Sequence, residues 1–169
     1  MQNLTNFIYF GNYKFPYFSK AMPAKATLFD GKCQAIYDFG TGSRNELYFN
    51  SHGSIVCLAG FGNLRGQVEV WHLNTSNRVP AQLTTFQADD TTYFEWSPDG
   101  QHILTATTAP RLRVSNGFKI WNYWGEKLFA YAMPDKHELW QVSWQQGKYP
   151  QKPVVKKQVA PVKEESNFS

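Results

Sequence analysis

One pattern recurs in this chain at an interval of 47 to 50 residues, and it limits the fold more than any other feature. The first copy, LYFNSHGSIVCLAGFGNLRGQVEVWHL, runs from Leu47 to Leu73. The second, YFEWSPDGQHILTATTAPRLRVSNGFKIWNY, runs from Tyr93 to Tyr123. His52-Gly53 aligns with Asp99-Gly100, and Val68-Glu69-Val70-Trp71 aligns with Phe118-Lys119-Ile120-Trp121. A third copy opens at Leu139-Trp140-Gln141-Val142-Ser143-Trp144 and goes no further. Every copy consists of β-prone runs broken by turn dipeptides, and no segment has the apolar stripe, cap and length of a helix. A strand-only repeat of this size is one four-stranded blade of a β-propeller of the WD40 kind.

The expected fold is therefore all-β. It is an open propeller fragment with about two complete four-stranded antiparallel blades, flanked by partial blades. Strands are expected near 46–50, 54–60, 67–73 and 81–87 in one blade, and near 92–96, 102–107, 117–123 and 127–132 in the next. Ahead of them, Lys25 to Asp30 and Cys33 to Phe39 are expected as the third and fourth strands of an incomplete blade, and a separate strand is expected near Asn6 to Phe10. A closed ring needs at least four blades of roughly 40 to 50 residues, and the chain has 169 residues in all. The expectation is a fragment of a longer protein, with bare apolar faces at both ends of the stack through which it self-associates.

Charge separates three regions: a divergent segment over 1–21, a partial propeller over 22–147, and a tail over 148–169. Five of the 17 basic and two of the 13 acidic residues fall in the tail, so its net charge is +3 and that of residues 1–147 is +1. The tail has three prolines and no apolar period, the signature of a solvated, disordered segment. The high isoelectric point comes from that tail and is no argument for DNA or other nucleic acid on the folded part. No run of 18 apolar residues spans a membrane, and the opening residues lack a signal peptide's basic and apolar regions. Cys33 and Cys57 match no metal or redox spacing and read as buried free thiols. Asn3-Leu4-Thr5 and Asn74-Thr75-Ser76 fit a glycosylation sequon that is common by chance. The expected location is the cytoplasm.

No catalytic group emerges. Gly60-Phe61-Gly62 followed by Gly66 misses the dinucleotide spacing, and no helix follows to present its N-terminus to a phosphate. There is no nucleophile elbow, and His52, His72, His102 and His137 are too scattered to hold a metal. His52 and Asp99 occupy equivalent turns, where they are expected to satisfy buried polar groups. Neither a cofactor nor a metal is expected. The candidate site lies in loops instead. The second-to-third-strand connection of each blade carries Leu-Arg, as Leu64-Arg65 and as Leu112-Arg113, with Arg111 just before. Such connections open onto the same face as those between blades, which include Arg44, Asp89-Asp90 and Lys136-His137. Arginines repeated onto one face could grip phosphates bidentately.

Met22 to Asp30 (MPAKATLFD), Leu58 to Trp71, Ser97 to Trp121 and Glu138 to Gln145 closely resemble the eukaryotic translation initiation factor 2A family, in loops as well as strands. The resemblance covers residues 22 to 146, while residues 1–21 and the short tail depart from the family pattern. It implies the last blades of a large amino-terminal propeller in a cytoplasmic, non-enzymatic factor. Its implied partners are the small ribosomal subunit, initiator tRNA or mRNA, and other initiation factors. On this chain the matching loop residues Asn63, Arg65, Arg111 and Arg113 are the implied contacts. The alternative is a WD40 protein-docking scaffold without direct RNA contact, like a propeller subunit of a multi-subunit initiation factor.

Overall fold

Alternating apolar residues with turns every few positions produce strands throughout the computed structural model, which describes residues 7–11 (backbone), 23–73 and 79–147. Among them there are 11 strands and no helix. The first sheet contains β1 (Phe7–Gly11), β2 (Ala24–Phe29) and β3 (Ala35–Gly42), in that order. The second contains β4 (Glu46–Phe49), β5 (Ile55–Ala59), β6 (Gln67–His72) and β7 (Ala81–Gln87). The third contains β8 (Tyr93–Trp96), β9 (His102–Thr107), β10 (Gly117–Asn122) and β11 (Lys127–Ala132). All neighbours are antiparallel, and the sheets form no closed ring.

The sequence repeat is also a repeat of register. Ala59 pairs with Val68 in the second sheet, and Ala106 pairs with Phe118 in the third. Both sheets shift register at the residue before the repeat tryptophan, between Val70 and Trp71 and between Ile120 and Trp121. A shared irregularity of this kind re-aims the following side chain. The two four-stranded blades fall within one residue of the expected strand limits.

The second sheet is covered on both faces. Every residue of β5 is buried, and the two-residue side-chain period of a strand divides them between neighbours. Ile55, Cys57 and Ala59, with Val68, Val70 and Phe86, pack against Phe94, Ile103, Trp121 and Tyr123 of the third sheet. Val56 and Leu58, with Leu73, pack against Ala26, Leu28 and Phe39 of the first. One aromatic contact is repeated between sheets. The ring of Phe39 lies 5.0 Å from Trp71, and Phe86 lies 4.7 Å from Trp121. Among the described residues nothing comparable covers β11, all of whose residues are exposed.

Several expectations change. Leu139 to Trp144 carries no strand assignment, because no second strand follows it, among the described residues, to complete a ladder. The segment is nevertheless anchored: Ala109 N–H donates to Leu139 O at 2.8 Å and Trp144 N–H to Glu95 Oε2 at 3.0 Å. Cys57 is buried, which pushes its thiol up, but Cys33 is exposed. It sits at φ 62° in a turn, where Asp30 Oδ1 accepts from Lys32 N–H and Gln34 N–H, both at 2.9 Å. The turn thus delays β3 to Ala35. The strand expected near Asn6 appears as β1 and joins the first sheet. The tail expected to be disordered and both sequons lie outside the described residues.

Trp121 is 7 % exposed, and its indole N–H donates to Thr105 Oγ1 at 2.9 Å. Trp121→Ala should therefore cost roughly 3 to 5 kcal/mol in urea unfolding, as for a buried aromatic. A loss below about 0.5 kcal/mol would contradict this placement.

Candidate functional site

The loop face is built by close backbone approach. Gly66, at φ +81°, has space for no side chain, since a Cβ there would meet Ala88 O at 2.3 Å. A Cβ on Gly60 would meet Ser43 O at 2.1 Å. These glycines let the β5–β6 connection press against the connections between sheets. Asn45 fixes the same loop from the neighbouring connection, donating to Phe61 O at 3.0 Å and accepting from Phe61 N–H at 2.9 Å. The glycine-bearing run is thus a strand connection, as its spacing indicated. Its tip leaves Asn63 and Arg65 exposed.

The longer β9–β10 connection is folded by its own polar groups. Leu112 N–H donates to Thr108 O at 3.0 Å, and Asn116 Nδ2 donates to Leu112 O at 2.7 Å. Asn116 Oδ1 also accepts from Leu139 N–H at 3.1 Å. This leaves Arg111 and Arg113 exposed.

Asn63, Arg65 and Arg111 surround one cleft of about 970 Å³ together with Glu46, Asp89 and Asp90. Arg113 lines a neighbouring hollow of about 640 Å³ with Lys136 and His137, and Asp89 and Asp90 border both. The four predicted residues therefore fall into two adjoining hollows rather than one. Among the described residues, none of these three arginines takes part in an ion pair. Gln87 donates to Asp89 Oδ1 at 2.9 Å and also to Arg65 O, tying the acidic connection to the arginine loop. Glu46 also accepts from the Tyr48 hydroxyl, which lines a third hollow shared with Arg111. Burial and that carboxylate push the Tyr48 hydroxyl well above its ordinary range, with the charge of Arg111 opposing them.

Arg44 was grouped with this face, and the structure places it elsewhere. It is 6 % exposed, bonded to Phe39 O at 3.2 Å and to Glu69 Oε2 at 3.3 Å. Glu69 also accepts the Trp71 indole N–H at 3.1 Å. Arg44 thus joins the first sheet to the second, with Nε and Nη1 unpartnered among the described residues. Two signals pointed to it. Glu69 is the single acid of β6, flanked by Val68 and Val70, and Gly42 leaves space that a Cβ would take at 2.6 Å from Arg44 Nε.

The histidines do not converge, and no His, Cys, Asp and Glu group among the described residues could hold a metal. Asp99 serves its turn: it accepts from Ser97 Oγ and, at 3.0 Å, from Gln101 N–H. Burial pushes its carboxyl up, but these bonds and His102 outweigh that and hold it below the usual carboxylate range. His52 departs from the expected role, because its Nε2 is buried without a hydrogen-bond partner among the described residues. What the face offers chemically is exposed guanidinium and amide donors beside carboxylates. Such groups recognise charged and polar surfaces.

Sheets stacked face to face, repeating in register and joined by short connections, define a propeller-type repeat protein. The sequence profile of Eukaryotic translation initiation factor eIF2A matches residues 12–142, and the chain belongs to that family. The match begins upstream of Met22, so the family pattern extends into part of the segment read as divergent. The chain is 49 % identical over 125 residues to Eukaryotic translation initiation factor 2A of Drosophila melanogaster, covering 74 % of this chain and 19 % of that protein. Against the Caenorhabditis elegans protein of the same name it is 40 % identical over 124 residues, covering 73 % and 21 %. A crystal structure described as that of the eukaryotic initiation factor superposes with a TM-score of 0.64 at 39 % identity, covering 71 % of this chain and 28 % of the other. The chain therefore spans about a fifth of the length of the relatives it matches. No helix among the described residues is long and apolar enough to cross a membrane.

The side chains of Arg44 and Glu69 are 5 % and 13 % exposed, so their pairing is a test of the inter-sheet contact. Glu69→Gln leaves a buried guanidinium without its counter-charge and should cost about 3 to 5 kcal/mol in denaturant unfolding. A loss under about 1 kcal/mol would mean that water reaches Arg44.

Proposed function

We propose that this chain works as part of a non-enzymatic, cytoplasmic translation initiation factor. Its loop face meets the small ribosomal subunit, and the factor that it represents delivers initiator tRNA there. Family membership supports the general role. The observation that carries the contact surface is the exposure of Arg65, Arg111 and Arg113 in equivalent loops, with no ion pair on any of them among the described residues. An unpaired, exposed guanidinium keeps its donors available for the two oxygens of a phosphate. Asn63 beside them adds an amide that can accept or donate. Neither a cofactor nor a metal enters this reading.

A second reading rests on a specific feature of the same cleft. Glu46, Asp89 and Asp90 stand beside Arg65 and Arg111, and a mixed-charge hollow suits a protein surface with complementary charges. On that reading the chain is a docking scaffold without direct RNA contact.

Salt separates the two. Each phosphate contact on single-stranded RNA contributes about 0.7 to the slope of log affinity against log salt. Replacing Arg111 and Arg113 together by Glu should weaken co-sedimentation with small subunits about tenfold or more and lower the salt slope by about one to two units. Unfolding midpoints should stay unchanged, since both side chains are exposed. Unchanged binding by the folded double variant would remove this face from the contact. A weakened but salt-insensitive interaction would favour the docking scaffold.

A further inference from the structure

One tryptophan stands apart from most of the others. Trp71, Trp96, Trp121 and Trp124 each pack against a neighbouring ring. Trp140 joins no ring pair among the described residues and is 66 % exposed. It lines the third hollow, of about 660 Å³, with Glu46, Tyr48, Tyr93, Arg111 and Gln141. The walls come from β4, residues 92–94, the β9–β10 connection and residues 140–142.

The backbone holds that ring beside Arg111. Leu139, immediately before it, donates its N–H to Asn116 Oδ1 at 3.1 Å, and its O accepts from Ala109 N–H at 2.8 Å. Both partners belong to the β9–β10 connection, which also carries Arg111. Another wall is fixed by the stacking of Tyr48 on Phe94, with ring centroids 4.2 Å apart and 19° between planes. An aromatic face and an exposed guanidinium are thus set side by side before any ligand arrives. That pair suits an unpaired nucleotide, whose base offers a π-face and whose phosphate offers charge. Arg111 also borders the cleft that holds Asn63 and Arg65, so a strand leaving this hollow meets further phosphate donors. Glu46 keeps phosphate out of the interior and can accept from a base N–H, while Gln141 offers an amide to the base edge.

We infer that this hollow is a stacking site for an unpaired base of single-stranded RNA, with Trp140 against the base and Arg111 on the adjoining phosphate. The inference rests on the proposed role of the loop face and narrows it from phosphate contact in general to a single strand. A duplex covers its base faces by stacking them on one another, so the site separates single from double strands. Stacking accepts any base, because each has a π-face.

The test is fluorescence anisotropy of the full chain with a labelled single-stranded RNA of about 10 nucleotides and with the matching duplex. The wild type should prefer the single strand. Trp140→Ala, at an exposed position, should weaken that binding about five- to hundredfold and leave the salt slope unchanged, since no charge is lost. Trp140→Phe should recover part of the affinity, and Arg111→Glu should instead lower the slope. Equal affinity of wild type and Trp140→Ala would overturn the stacking site, as would a wild type that binds the single strand no better than the duplex. In either case a loss of small-subunit binding by the Arg111 and Arg113 double variant would keep the loop-face reading intact. Weakened subunit binding by Trp140→Ala with unchanged RNA affinity would give the hollow to a protein segment, against the proposal. Should Trp140→Ala fail to fold by circular dichroism, photocrosslinking of the wild type to 4-thiouridine RNA decides. Adducts on Trp140 or Tyr93 are expected, and adducts confined to other residues would contradict the site.

Discussion

Strand β5 is buried on both faces, and that single condition organises the chain. A strand alternates its side chains between two sides, so a run such as Ile55 to Ala59 needs a cover on each. The first sheet covers Val56 and Leu58, and the third covers Ile55, Cys57 and Ala59. In the third sheet β9 is likewise buried from Ile103 to Thr107, whereas β11, the outermost strand, is exposed throughout. Stability in such a stack is a sum over neighbours, so the second sheet owes its order to the two beside it.

The aromatic pairs and the Arg44–Glu69 bridge set how the sheets meet. Each pair takes one ring from the outermost strand of a sheet and one from the third strand of the next, near the register shift that both four-stranded sheets share. Arg44 adds a polar tie at the first interface, where Glu69 holds both the guanidinium and the Trp71 indole. At the other end of the strands, Gly60 and Gly66 bring the connections close enough to form a continuous surface. The arginines therefore project from loops mounted on a rigid support, an arrangement that favours recognition over chemistry.

The blades were legible in the sequence because their spacing, turn residues and tryptophans repeat together. Strand limits followed from the same alignment. Side-chain partnership was less accessible. Arg44 lies in a connection like the other arginines, and only its distant partner Glu69 separates it from them. Cys33 follows an Asp-Gly turn that delays the strand by two residues, to Ala35, so it is exposed rather than buried. Leu139 to Trp144 reads as a strand by pattern, yet strand geometry requires a neighbour as well as a pattern. The four loop residues lie in strand connections, and their division between two hollows depends on loop paths set by Asn45, Thr108 and Asn116.

A double-mutant cycle on Phe39 and Trp71 tests the stacking most directly. The two rings belong to different sheets and lie 5.0 Å apart at an interplanar angle of 77°. With Phe39→Leu, Trp71→Leu and the double variant, urea unfolding should give a coupling energy of about 0.5 to 1.5 kcal/mol. Effects that add to within about 0.3 kcal/mol would mean that the two sheets do not meet there, and the account of the fold as a stack of blades would fail.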